Sequence, residues 1–166
     1  MRITIFLFAI CLCLLSCKKD DGTAGDKVEL YLLESYQTVA GKCEIDGSRS
    51  VLQSTAIVKN DDIIAYSRTN YQFKLSSAAI QKIKAFNDRT PFAVSVDKQV
   101  IYFGILKPFT SSSSCDNSIT MDIDVMTNDK ISLRLGYPGL LLGVVIDDRR
   151  NDPKLIATLK QQGKLE

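Results

Sequence analysis

Acid–base and nucleophilic chemistry near neutral pH usually draws on histidine, and this 166-residue chain has none. Ser-His and Cys-His arrangements are therefore closed to it, and any hydrolytic reaction would have to run on carboxylates. The best-spaced carboxylates are Asp122 and Asp124, which project from one face of a period-two run opposite Ile119, Met121, Ile123 and Val125. An exposed face of an antiparallel strand carries the same pattern, and we take that reading. Thr110 to Ser114 is a hydroxyl-rich stretch able to hold an anion, but it lacks the glycines of a phosphate loop, so we read it as surface loop. Asp147-Asp148-Arg149-Arg150-Asn151-Asp152 reads as a salt-bridged turn. Tyr31, Tyr36, Tyr66, Tyr71, Tyr102 and Tyr137 offer contact area with polar tips, yet most sit at strand positions where packing is the simpler account. No catalytic residue, cofactor or metal site is assigned. Cys43 and Cys115, far apart and without histidine, make a poor zinc set.

The elements that must hold these residues alternate between strand and helix signals. Val28 to Leu33 reads as a strand, Glu34 to Ser50 as a polar stretch with Gly41 and Gly47 as turns, and Ser54 to Val58 as a continuation of the sheet. Ile63 to Tyr66 and Tyr71 to Leu75 flank the turn-prone Arg68-Thr69-Asn70. Ser76 or Ser77 caps a helix whose Ala79, Ile80, Ile83 and Phe86 recur at helical spacing. Pro91 opens a strand with Phe92, Val94 and Val96 on one face. Asp97-Lys98 turns the chain into Gln99 to Leu106, although no glycine favours that tight turn. Ile131 to Leu135 is a further strand, broken at Gly136-Tyr137-Pro138-Gly139. Asp152 caps a last helix with Pro153 at its first position and Leu155, Ile156 and Leu159 inward, and Gly163 stops it. Gly139 to Ile146 is apolar, far shorter than a membrane span, and reads as buried strand or loop. The pattern implies an α+β fold, a single small domain of mostly antiparallel sheet with two helices packed on it.

At the start of the chain, Met1-Arg2 supplies a small basic region, Ile3 to Leu15 an apolar stretch, and Leu14-Leu15-Ser16-Cys17 closes it. That run resembles the lipobox of bacterial lipoproteins. The resemblance implies that 1–16 is a signal peptide and that Cys17 becomes an acylated N-terminus, holding the protein to a membrane of the cell envelope. Stable anchoring takes about two acyl chains. Residues 17–27 then form a polar tether, and 28–166 form one globular domain. Lys19-Asp20-Asp21 is similar to the export signal of surface lipoproteins of Bacteroidota, which implies the outer membrane with surface exposure; the inner, periplasmic leaflet stays open. In such an oxidising compartment Cys43 and Cys115 either form a disulfide, which we favour, or remain two buried thiols.

From Tyr71 to about Asp124 the order of signals resembles the periplasmic head subdomain of SecD. Phe73-Lys74-Leu75 precedes the helix opening with Ser76-Ser77-Ala78-Ala79, Pro91 to Asp97 forms a strand ending at a turn aspartate, Val100-Ile101-Tyr102 returns, and Pro108 precedes the small-residue loop Ser111 to Ser114. Lys98 stands where that family usually has glycine, and the transport helices of SecD are absent, so no transport role carries over. The resemblance implies a helix-covered sheet used for contacts with other polypeptides. A formal net charge of +2, from 21 basic and 19 acidic side chains, gives no footprint for nucleic acid. The expected function is a non-enzymatic, lipid-anchored module with an envelope protein as partner. The alternative is a small surface hydrolase, or a binder of glycan or peptide, using Asp122, Asp124 or the Asp147 to Arg150 cluster.

Overall fold

The structure, a computed structural model, describes residues 26–123 and 129–166. Cys17, the Lys19-Asp20-Asp21 signal and Asp124 lie outside the described residues.

Eight strands build one sheet: β1 (Val28–Ser35), β2 (Val51–Leu52), β3 (Ile63–Ser67), β4 (Gln72–Leu75), β5 (Pro91–Val96), β6 (Gln99–Leu106), β7 (Cys115–Ile123) and β8 (Lys130–Tyr137). Their order across the sheet is β2-β1-β5-β6-β7-β8-β4-β3, and every pairing is antiparallel except β6 with β7. With the helices α1 (Ser77–Lys84) and α2 (Pro153–Gln161), the fold is the expected single α+β domain.

Chain length shows that this sheet is curled. Val58 bridges the outer side of β1, while Ile63 opens β3 at the opposite edge. Seven strand spacings of about 4.8 Å would separate them by roughly 34 Å in a flat sheet. The five residues from Val58 to Ile63 reach at most about 18 Å. The concave face therefore gathers both edges around the helices, and Leu30, Ile63, Tyr66, Ile80, Ile83 and Leu159 meet in one core.

Each helix starts where the sequence places it. The Ser76 hydroxyl accepts from Ala79 N at 3.2 Å, and Ala79, Ile80 and Ile83 are buried. Asp152 accepts from Lys154 N at 2.9 Å with Pro153 following; Leu155, Thr158 and Leu159 face inward, whereas Ile156 is only half-buried. Beyond Gly163 the chain runs along the free side of β3: Tyr66 N donates to Lys164 O at 2.7 Å and Glu166 N to Tyr66 O at 2.8 Å. That closes an edge that would otherwise expose unpaired amides.

The convex face is covered as well, by residues 36–52. Leu33, Ile45, Ala93, Ile105, Cys115 and Tyr137 form a second, smaller core beneath this cover. Cys43 and Cys115 are joined by a disulfide, so the favoured of the two readings holds. This second layer explains why β5 buries five consecutive residues, Phe92 to Val96; Asp122 is also buried rather than on a solvated strand face, beside the segment that follows β6. Asp122 accepts from Phe109 N at 3.2 Å and lies 3.8 Å from Arg134.

At the Asp97-Lys98 turn both residues take positive φ, 50° and 63°, the two-residue geometry that ordinarily recruits glycine. Asp97 compensates through its carboxylate, which accepts from Lys27 N at 2.8 Å. Gly104 is needed for a different reason, close approach. A Cβ there would stand 2.4 Å from Phe92 Cζ and 2.7 Å from Ile119 O, and a carbonyl in the ladder has no room to retreat. Gly104→Ala is therefore expected to cost about 3 kcal/mol, at the upper end of ordinary overpacking. Denaturant midpoints would check this, a change below about 0.5 kcal/mol counting as failure.

Candidate functional site

The parallel ladder between β6 and β7 is short. It has three registered pairs, Gly104↔Ile119, Ile105↔Thr120 and Leu106↔Met121, and Lys107 N continues it to Met121 O at 2.8 Å. Main-chain groups point alternately to the two sides of a regular strand, so this bond turns Lys107, Ile105 and Phe103 toward β7; at Ile101 the register of β6 against β5 shifts and the alternation ends. Below Gly104 the two strands have no further registered pair. The cause lies in β7, which spends four residues between Cys115 and Ile119 where β8 spends two between Tyr137 and Leu135. That bulge carries Asp116 to Ser118 out of register. Gly136, at φ +70°, supplies the matching bend in β8, and its carbonyl is held by the buried Thr120 hydroxyl at 3.1 Å.

A cleft of about 250 Å³ opens where the strands part, walled by Ile101 to Phe103 on one side and Asn117 to Ile119 on the other. Its rim comes from two loops. Glu44 and Ile45 belong to the disulfide-tethered cover, and Val145, Ile146, Asp147 and Arg149 to the segment after β8. The Tyr102 hydroxyl is buried with no hydrogen-bond partner. Burial pushes its ionisation well above the usual phenol range, and the neighbouring Tyr66 pushes the same way.

The charged rim is tied down from outside the cleft. Glu44 pairs with Lys42 at 3.5 Å and Arg149 with Asp152 at 2.5 Å. Arg150 is buried, lies over the Tyr71 ring at 3.7 Å, holds Asp148 through two hydrogen bonds of 2.8 Å and donates to Leu133 O at 3.0 Å. The Asp147 to Asp152 stretch is thus the salt-bridged turn the sequence implies, and its function is to brace the rim. The hydrogen bond from Arg150 lowers the pKa of Asp148, with burial opposing it. A depressed folded value gives stability that is present above the unfolded value, near 3.9, and lost as pH falls through the folded one. Asp148→Asn is expected to remove this acid-side loss and about 1 kcal/mol at pH 7, a small figure because Asp148 is 37 % exposed and screened by water. Urea midpoints at pH 7 and pH 3 would test it. A variant as acid-sensitive as the parent would refute it.

Two sequence-level sites dissolve in three dimensions. Asp122 lies away from the cleft, against a second cavity of about 240 Å³ walled by Ile83, Phe86, Leu106, Pro108, Phe109 and Ile123. It is not brought to Asp147 or Arg149. The Ser111 and Ser113 hydroxyls do not face an incoming anion but turn onto the buried ammonium of Lys107, at 2.7 and 2.8 Å, beside Asp88. Serine beside lysine is a nucleophile arrangement in some hydrolases, yet this ammonium has all its donors engaged and no lone pair to accept a serine proton. Sequence reasoning missed Lys107. A lysine directly following the apolar run Ile101 to Leu106, with hydroxyls four and six residues on, was the available signal. Of the tyrosines, Tyr31, Tyr66, Tyr102 and Tyr137 are buried, Tyr71 is half-buried and Tyr36 is exposed, so they form no shared binding surface.

Among the described residues no three histidine, cysteine, aspartate or glutamate side chains converge as metal ligands, and no helix is long and apolar enough to cross a membrane. The arrangement at the cleft suits binding: main-chain donors and acceptors in its walls, an aromatic floor and an apolar lip. Comparisons with protein-family models, with curated proteins and with solved structures give no match.

Proposed function

We propose that this chain is a lipid-anchored module of a bacterial cell envelope, held at Cys17 and without catalytic activity, that binds an extended segment of another envelope protein between β6 and β7. The observation that carries the reading is the interrupted ladder. An extended peptide pairs with strand main chain wherever a ladder is left open, and side-chain pockets beside it supply selectivity. Here the registered pairs stop at Gly104 and Ile119, the Phe103 amide stands at the end of the ladder and Ile101 lines the gap beyond it, while Ile45 and Val145 offer apolar contacts at its rim. Support also comes from the lipobox-like run ending at Cys17, the Lys19-Asp20-Asp21 run suited to outer-membrane exposure, and the missing histidine. The stretch from Tyr71 onward, with its likeness to the SecD head, fits a surface that meets other polypeptides.

The test is site-specific photo-crosslinking of the full-length protein in its own envelope, with the probe at Ile101, at Asn117 or, as control, at Ile64 on β3. The expected result is one reproducible protein captured from Ile101 and Asn117 and not from Ile64, joined through a contiguous segment of its chain. Glycan adducts at the cleft positions would favour the ligand-binding alternative. Identical background at all three would remove the cleft from consideration.

A further inference from the structure

The segment after β8 departs from expectation. Gly139 to Ile146 reads as buried, but Leu140, Leu141, Leu142 and Val145 are 53, 48, 104 and 92 % exposed. The reason is topological: β8 ends at Tyr137, no strand accompanies the chain beyond it, and the residues have no sheet to join. They form a tight turn instead, with Val144 N donating to Leu141 O at 3.1 Å and Gly143 at φ +81°. Leu142 stands at its tip. From Pro138 to Ile146 no side chain carries a charge or a hydrogen-bonding group. Single exposed leucines are ordinary on protein surfaces; four aliphatic side chains on one projecting turn are not.

Position says what covers them. The chain enters the domain at Asp26 and Lys27, and Val28 pairs with Val96 beside the β5–β6 turn. β6 and β7 run parallel and both begin at that end of the sheet, and β8, antiparallel to β7, finishes there. The apolar turn therefore leaves from the end at which the N-terminal segment arrives. Val145 lines the same cleft as Ile101, two residues along β6 from Gln99. Nine Cα-to-Cα steps separate Cys17 from Asp26, a reach of at most about 32 Å. Anchoring at Cys17 brings this end of the domain nearest to the bilayer.

We propose that the Leu140 to Val145 turn is a second membrane contact, its aliphatic tip entering the interfacial layer of the bilayer that holds Cys17 and fixing the domain's orientation. This rests on the lipid-anchor reading. A bilayer suits the turn better than a protein does, because the tip has no polar side chain to specify a partner. Charged residues follow it at headgroup height, Asp147, Asp148 and Arg149 on the same segment and Lys27, Lys98 and Lys154 around the entry point. An apolar tip beneath a mixed polar collar is how an interfacial contact is built.

The chain contains no tryptophan, so a single introduced one reports its own surroundings. Full-length Leu142→Trp protein, purified from its envelope with the state of Cys17 read by mass spectrometry, is reconstituted on vesicles of phosphatidylethanolamine and phosphatidylglycerol. Ile64→Trp, exposed near the opposite end of the sheet, is the control. The expected result is several-fold stronger quenching by brominated acyl chains, with a blue-shifted emission, for Leu142→Trp than for Ile64→Trp. Water-like emission from Leu142→Trp on vesicles that carry the protein overturns the proposal and leaves the anchor standing. Unmodified Cys17 with Leu142→Trp still quenched by brominated lipid overturns the anchor and upholds the turn. A blue shift that needs added envelope protein and shows no lipid quenching assigns the turn to a protein partner and overturns the proposal.

Discussion

Replacing Cys43 and Cys115 together by alanine is expected to lower the stability of the domain by about 4 kcal/mol. The disulfide closes a loop with a sequence separation of 72, and loop-closure entropy of that length gives this magnitude. For a domain of this size each kcal/mol moves the melting temperature by roughly 3 to 4 °C, so the midpoint should fall by about 12 to 16 °C. The loss is not evenly spread. Residues 36–46 contain no named strand or helix and are held by the Thr38↔Ile45 bridge, by bonds such as Asp46 N to Gln37 O at 2.8 Å and by burial of Ile45. Without the bridge this cover should detach first, exposing the smaller core under Ala93 and Ile105 and removing Glu44 and Ile45 from the cleft. Thermal unfolding of the parent in reductant should match the double variant. A double variant melting within about 3 °C of the parent would show that the cover holds itself.

The elements were legible where local chemistry decides them. Both helix starts follow from Ser76 and Asp152, and the strand alternation of Phe73, Phe92 and Val94 puts those residues in the core. What sequence could not show was the second layer. Period two implies one dry face and one wet face, but residues 36–52 and the segment after β6 lie over the convex face, and Ala93, Ser95, Thr120 and Asp122 are buried too. A loop lying over a sheet leaves no periodic trace in its own sequence. The Asp97-Lys98 turn was legible as a turn and not as its type, because a hydrogen bond from Lys27 substitutes for the glycine that would have announced it.

The candidate site was harder to see for a related reason. Asn117 and Ser118 open the cleft because β7 bulges against β8, and a bulge depends on register between two strands. Neither strand alone encodes it. The apolar turn was visible as composition, and the error lay in its environment. Leu140 to Val145 carries the residues of a buried strand, and only the end of the β8 ladder at Tyr137 shows that there is no sheet for it to join.

Asp88→Ala is expected to destabilise the domain by about 3 kcal/mol and Lys107→Met by about 1 kcal/mol or less, and the asymmetry is the content of the prediction. Lys107 is fully buried, with Asp88 at 2.9 Å, Ser111 at 2.7 Å, Ser113 at 2.8 Å and the Tyr137 ring at 5.2 Å. An ammonium has three donors, and each has an acceptor here. Removing Asp88 leaves a charge in the interior with only hydroxyls around it, and losing one partner of such a pair costs about 3 to 5 kcal/mol. The lower figure applies because Asp88 is 37 % exposed and water replaces part of what it supplies. Methionine at 107 removes the charge, keeps the buried stem and leaves a carboxylate that solvent can reach. The double variant should resemble Lys107→Met alone, a coupling of about 3 kcal/mol measured by urea unfolding at pH 7. The pH dependence runs the same way. Burial opposes ionisation of Asp88, but hydrogen bonds from Lys107 and Ser111 hold its pKa below the usual range. The parent should therefore lose stability as pH falls below about 4, and Asp88→Ala should not lose that part. Equal costs for the two single variants would show that packing around Lys107, and not its charge, holds the loop. The loop matters beyond itself: the Tyr137 hydroxyl donates to Phe109 O and Ser111 O at 3.0 Å, so the Lys107 cluster fixes the last residue of β8 and with it the point from which the apolar turn projects.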